Sequence, residues 1–259
     1  MGKSEIVYLA LIPLAVPETS LVGKVADIIG KDPYGTRLLL AGKVPRIVAY
    51  YDSKQMAESV TQELRDLGLL PILCTDSELC CSSEGFIAHT LELEQGYALF
   101  YDRGGQKREM KSEDVFLIIK GGRETYVVKE KTETTKKFSL SRTVLMGGIP
   151  MWRTEKKQVK GMSPTTEYFA RLYTRESSEP VVEIFHTQMD YSFLKGEMAS
   201  SSLANFNIVV TKLQQAFPGA IFDDNLMRAS IKQPYTPSAV DDAEINCKLL
   251  YLQYLAVKP

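Results

Sequence analysis

Four residues able to bind a metal, Cys74, Cys80, Cys81 and His89, lie within one stretch of 16 residues. Zinc takes thiolates and imidazoles whose loop spacing lets them converge on a tetrahedron. The order Cys-x5-Cys-Cys-x7-His contains no paired C-x-x-C and fits no such spacing. These residues therefore read as buried or linker cysteines, and no metal or other cofactor is expected. Acid–base and nucleophilic chemistry has equally little to draw on. His89 and His186 are the only histidines, and both fall in strand-like patterns. No G-x-S-x-G, P-loop, H-E-x-x-H or G-x-G-x-x-G occurs. The pairs Asp223-Asp224 and Asp241-Asp242 stand near helix ends, where carboxylates usually cap. Asp190, in the turn M-D-Y-S-F, suits an Asx turn. The chain reads as a non-enzyme, with an enzyme of unrecognised site kept as a third reading.

Charge is more informative. Residues 120–160 carry eleven Lys and Arg against four Glu, a balance of +7 in a chain whose formal net charge is −1, which leaves −8 elsewhere. If these hairpins share a face, Lys136, Lys137, Arg142, Arg153, Lys156 and Lys157 are candidates to hold an anionic lipid or a nucleotide. The other reading is a set of solvated hairpin edges, where Lys discourages edge pairing. Aromatic residues are not interleaved with the lysines, which argues against single-stranded nucleic acid. Within the same stretch T-V-L-M-G-G-I-P-M-W (143–152) is apolar but broken by Gly-Gly and Pro. Leu145, Met146, Ile149 and Trp152 make it a candidate docking loop. A strand and turn tucked into the core is the alternative.

The elements that would position these groups come in two textures. From Ile6 to Thr75 an apolar strand is followed by a helix ending at Gly30. A second helix starts at Asp32-Pro33, where Asp caps and Pro needs no N–H partner. Pro45 then precedes a strand from Ile47. Asp52-Ser53 introduces a helix with Met56, Val60, Leu64 and Leu67 at helical spacing. Gly68 stops it, and a strand runs to Cys74. This is a small α/β sandwich over residues 1–76. Residues 77–85 are small and polar and suit a linker.

From Phe86 the pattern becomes one of short strands separated by turn signals such as Asp102-Arg103-Gly104-Gly105. Leu203, Phe206, Val209-Val210, Leu213 and Phe217 then mark an amphipathic helix. The expectation for 86–218 is an antiparallel β-barrel or sandwich capped by that helix, so the class is α+β. In the tail, 219–259, Ser238 and Asp241 signal a last helix. Ile245, Leu249, Leu250, Tyr251 and Leu255 make it apolar on most faces, so it must be buried on this chain or on a partner.

The succession G-K-D-P-Y-G-T-R-L-L-L-A-G, Pro45, strand, D-S-K-Q-M-A-E-S-V-T-Q-E-L-R-D-L-G, strand resembles the C-terminal domain of the bacterial ribosomal stalk protein. The likeness covers about residues 5–76 and rests on Gly30, Arg37, Pro45, Ser53, Ala57, Leu64 and Gly68. That family recruits translational GTPases through basic residues on its first two helices. Two of those positions are Gly23 and Ala26 here, and Arg37 alone keeps its charge. The resemblance thus implies a protein-binding sandwich, with Arg37 and Tyr34 as contacts, more than GTPase binding itself. Residues 86–218 are similar to the pleckstrin-homology architecture in element order and length only.

Composition agrees with a globular interaction protein. Hydrophobic content of 44% and charged content of 24% are ordinary. No run approaches the ~20 apolar residues that span a bilayer. The start, with Glu5 beside Lys3 and Pro13 and Pro17 within the apolar stretch, is a poor secretory signal. Four cysteines are too few for a disulfide scaffold, which favours a reducing, cytoplasmic setting. The leading expectation is an adaptor built from two binding modules, with a protein partner or a second copy as ligand.

Overall fold

The computed structural model describes residues 5–80, 85–94, 96–138, 152–227, 231–236 and 240–257, with backbone alone for 127–138 and 152–163. The chain divides into two units, one of residues 1–123 and 167–259 and a smaller one of 124–166. The first is mixed α+β and holds three sheets.

Sheet A has the order β2-β1-β3, from β1 (Val7–Leu11), β2 (Arg46–Tyr51) and β3 (Pro71–Thr75), with both pairings antiparallel. Strand side chains alternate between faces, and β1 is apolar at every position because both faces are covered. Leu9 and Leu11 meet α1 (Thr19–Ile29), α2 (Pro33–Leu40) and α3 (Lys54–Asp66) through Val22, Val25, Leu40 and Leu64. Tyr8 and Ala10 face the other way.

Gly30 ends α1 in the left-handed region, at φ 66°, and its N–H returns to Ala26 O. The Asp32 carboxylate caps α2 by accepting the Gly35 N–H at 2.7 Å. In α3 the inner line is Ala57, Thr61 and Leu64, while Met56 is 61% exposed. The expected stripe is therefore rotated by one residue. Thr61 tolerates burial because its hydroxyl donates to Ala57 O. A short helix, α4 (Asp76–Cys80), follows β3.

Sheet B has the order β11-β8-β9-β10-β4, from β4 (Phe86–Ala88), β8 (Leu117–Phe138), β9 (Trp152–Tyr173), β10 (Val182–Phe185) and β11 (Ile221–Leu226). Sheet C is an antiparallel meander of β5 (Thr90–Glu94), β6 (Tyr97–Tyr101) and β7 (Lys107–Lys111). The all-antiparallel expectation for 86–218 is corrected in sheet B. There β4 runs parallel to β10, and β11 runs parallel to β8. Both parallel partners are far apart in sequence, which leaves room for the crossovers that parallel pairing needs. β11 also lies in the part of the tail where only a helix was expected. Its sequence I-F-D-D-N-L is too polar to announce a strand.

Two helices fill the spaces between the sheets. α5 (Ser202–Ala216) is capped by the Ser201 hydroxyl on the Ala204 N–H. Its Phe206, Val209 and Leu213 share a core with Leu91, Phe100, Ile118, Leu172 and Ile184, so it packs against sheets B and C. α6 (Asp242–Ala256) is capped by Asp241. Its Ile245 and Leu249 pack on sheet A. Its Cys247, Leu250 and Tyr251 pack on Leu117, Ile119, Phe169 and Tyr173 of sheet B. Burial on both sides explains why this helix is apolar nearly all round. It also joins the 1–76 part to the strands of 86–218 within one unit. Gln233 tightens the joint, donating to Pro45 O and Asn246 Oδ1 and accepting the Ile47 N–H. No described helix is long and apolar enough to cross a membrane.

Candidate functional site

The residues 124–166 form the smaller unit and comprise the second part of β8 and the first part of β9. The two strands are neighbours. The Thr125 hydroxyl donates to Thr165 O, and Arg123 faces Glu167, as strands running in opposite directions require. This ribbon holds nine Lys and Arg against four Glu, a balance of +5, in a chain of net charge −1. Lys136 and Lys137 lie on β8, and Trp152, Arg153, Lys156 and Lys157 lie on β9. Arg142, Leu145, Met146 and Ile149 fall outside the described residues. The charged candidates that can be placed therefore belong to one two-stranded element. The second-helix candidates lie in the other unit: Tyr34 is 74% exposed on α2, beside exposed Arg37 and Leu38.

The larger unit contains a polar groove of about 740 Å³ that motif reading missed. Its floor is the part of sheet B beyond the start of α6. Arg123 on β8 donates from Nε and Nη2 to Glu167 Oε2 on β9, at 3.0 and 2.8 Å. Arg171 on β9 donates from Nε to Glu183 Oε2 on β10 at 2.8 Å, and its Nη2 is 3.8 Å from Glu244 on α6. Each guanidinium also lies over a phenylalanine, Arg123 over Phe185 at 4.5 Å and Arg171 over Phe169 at 4.9 Å. Arg171, Glu183 and Glu167 are buried, and charges taken from water persist only when paired in this way. Burial works to raise the Glu167 carboxyl, but the Thr187 hydroxyl and Arg123 outweigh it and hold the group below its ordinary value.

The groove wall is the β6–β7 hairpin and the edge strand β4. Asp102 accepts the Gln106 N–H at 2.8 Å and fixes the turn that carries Arg103. Arg108 lies over Phe86 at 5.1 Å and donates to Val181 O at 3.2 Å. Gly85 packs directly on the Glu183 carboxylate, where a Cβ would collide. The one signal for this floor in sequence is charge at inward positions of apolar strands, in F-A-R-L-Y and V-E-I-F. Period-2 alternation places Arg171 and Glu183 on the face of Phe169 and Phe185.

The remaining expected candidates are held by local structure. His89 Nδ1 lies 2.6 Å from Gln188 O, so this nitrogen carries the proton and donates. His186 Nδ1 accepts the Tyr168 N–H. Asp190 accepts the backbone N–H and the hydroxyl of Ser192, an Asx turn, and those bonds lower its pKa. Asp223 is buried and accepts the Tyr254 hydroxyl of α6 at 2.6 Å. Cys74 and Cys247 are buried, and Cys80 is exposed on α4. Among the described residues no three His, Cys, Asp or Glu side chains come together in a metal-binding group. A second groove, of about 940 Å³, runs along the edge strand β5, between acidic Glu92, Glu94 and Glu197 and basic Lys195 and Lys212. The Lys212–Glu197 ion pair, at 2.9 Å, crosses it. Comparison with protein families, with curated proteins and with solved structures finds no match for this chain.

Proposed function

We propose that the chain is a non-enzymatic, cytoplasmic interaction protein that docks a protein partner with an acidic surface through the 124–166 ribbon. The observation that carries the reading is the gathering of eight basic residues on two neighbouring strands whose outer parts form their own unit. Charge so concentrated accelerates encounter with an oppositely charged surface and sets its orientation. The exposed Tyr34, Arg37 and Leu38 on α2 offer a second contact of mixed apolar and basic character. The likeness of residues 5–76 to the stalk-protein domain, and of 86–218 to a pleckstrin-homology domain, belongs to the same proposal, since both are binding modules.

The test is affinity capture at low salt with the native chain and with the variant Lys136→Glu, Lys137→Glu, Lys156→Glu, Lys157→Glu. A partner held by the native chain, released at about 0.5 M salt and not held by the variant, supports the reading, because screening shortens the range of exposed charges. Equal capture by both forms refutes it. Vesicles containing phosphatidylserine form a parallel arm. Ribbon-dependent retention on them, with no protein captured, replaces the protein partner by an anionic lipid surface.

A further inference from the structure

The arginine groove of the larger unit has a use that the ribbon reading does not absorb. Two of its four arginines are committed, Arg123 to Glu167 and Arg171 to Glu183. The other two are not. Arg103 projects from an exposed turn and has no hydrogen-bond or ion-pair partner among the described residues. Arg108 donates once, to Val181 O, and is held over Phe86. A guanidinium carries five N–H donors in a planar fork matched to carboxylate and phosphate oxygens. The acids that share the groove are engaged already: Asp102 by the Gln106 N–H, Glu183 by Arg171, and Glu244 beside Arg171. Phe86, Ile87 and Phe185 add apolar wall, and Ile87 is 40% exposed. The volume, about 740 Å³, lies in the range of roughly 300–1,000 Å³ typical of small-ligand sites. A bare anion would fill little of it.

The geometry points to a binding site for a small organic oxyanion, whose phosphate or carboxylate group is held by Arg103 and Arg108 and whose apolar body lies on the exposed Ile87. Titration calorimetry of the full chain at low salt tests this with three probes, phenyl phosphate, benzoate and inorganic phosphate. Saturable binding of phenyl phosphate or benzoate is expected, tighter than that of inorganic phosphate. The better of the two organic probes identifies the anionic group. Arg103→Ala and Arg108→Ala each weaken it by about tenfold or more, as loss of a hydrogen bond to a charged group does. Arg108→Lys, which keeps the charge but not the fork, weakens it too, and Arg37→Ala leaves it unchanged. Arg103 sits on an exposed turn, so its variant keeps the fold even if a change at Arg108 does not. The ribbon variant retains this binding, so the site stands or falls apart from the ribbon. No saturable binding of any probe, binding unchanged in Arg103→Ala and Arg108→Lys, or binding lost in the ribbon variant overturns the assignment.

Discussion

Removing one member of the Arg171–Glu183 pair should destabilise the fold far more than removing both. Both residues are buried, and Nε and Oε2 are 2.8 Å apart. With an effective dielectric constant near 20, the attraction at that distance is on the order of 6 kcal/mol. Taking two ions out of water costs several kcal/mol each, so the pair as a whole contributes little over apolar residues of similar size. Glu183→Gln upsets that balance, since it leaves Arg171 buried with only Glu244 nearby, 3.8 Å away. The expected loss is about 3–5 kcal/mol. The double variant Arg171→Met, Glu183→Leu should lie within about 1–2 kcal/mol of the native chain, or above it. Urea unfolding followed by far-ultraviolet circular dichroism measures both. Tryptophan fluorescence is a poor substitute, because the only tryptophan, Trp152, belongs to the ribbon unit. A single variant within 1 kcal/mol of native, or a double variant as unstable as the sum of its parts, would show that Arg171 and Glu183 do not behave as a coupled, buried charge pair.

Other perturbations probe the same framework. Leu250→Ala empties a fully buried site between α6 and sheet B. It should lower stability by about 2–5 kcal/mol, and hydrogen exchange should rise in sheets A and B together because α6 serves both. Gly121→Ala would place a methyl 2.5 Å from the Phe169 ring and 3.0 Å from Leu226 Cβ. Overpacking of this kind costs about 1–3 kcal/mol, seen as an earlier midpoint in thermal unfolding. Glu167, held below its ordinary 4.5, stabilises the fold above that pH and loses the contribution as acid protonates it. Thr187→Val should therefore cost about 1.5–3 kcal/mol near pH 7, and the gap to the native chain should narrow below pH 4. A gap that stays constant with pH would remove the charged carboxylate from the account. Burial raises the Cys74 thiol from 9.0 to about 12. Iodoacetamide at pH 8 should therefore leave Cys74 unmodified until urea unfolds the chain, with exposed Cys80 labelled first by mass spectrometry.

Legibility varied along the chain for identifiable reasons. The elements of 5–76 could be read in order because several boundaries have a local cause, such as Gly30 at positive φ or Asp32 capping before Pro33, although α1 starts after Glu18 and α3 after Ser53 with no side-chain cap bond. Spacing was less reliable within α3. Ala57 and Thr61 took the inner face from Met56, since close approach to sheet A favours the smaller side chains. In β11 the aspartates concealed a strand whose Asp223 turned inward to hold Tyr254. The ribbon's basic residues were visible as a charge count. The groove was not visible, because Arg103, Arg108, Arg123 and Arg171 are spread over 69 positions of sequence.

Local chemistry alone set the caps at Asp32, Ser201 and Asp241, the apolar run of β1, the largely apolar surface of α6 and the excess of positive charge around 120–160. Those properties depend on a few neighbouring residues and hold in any fold that contains them. What covers α6, which strands pair in parallel, and which arginines meet in one groove were decided only by tertiary structure. Each depends on contacts between segments more than 60 residues apart, as between Gln233 and Pro45 or Lys248 and Glu179. Such contacts form only when many buried surfaces fit together at once, and no local pattern encodes them.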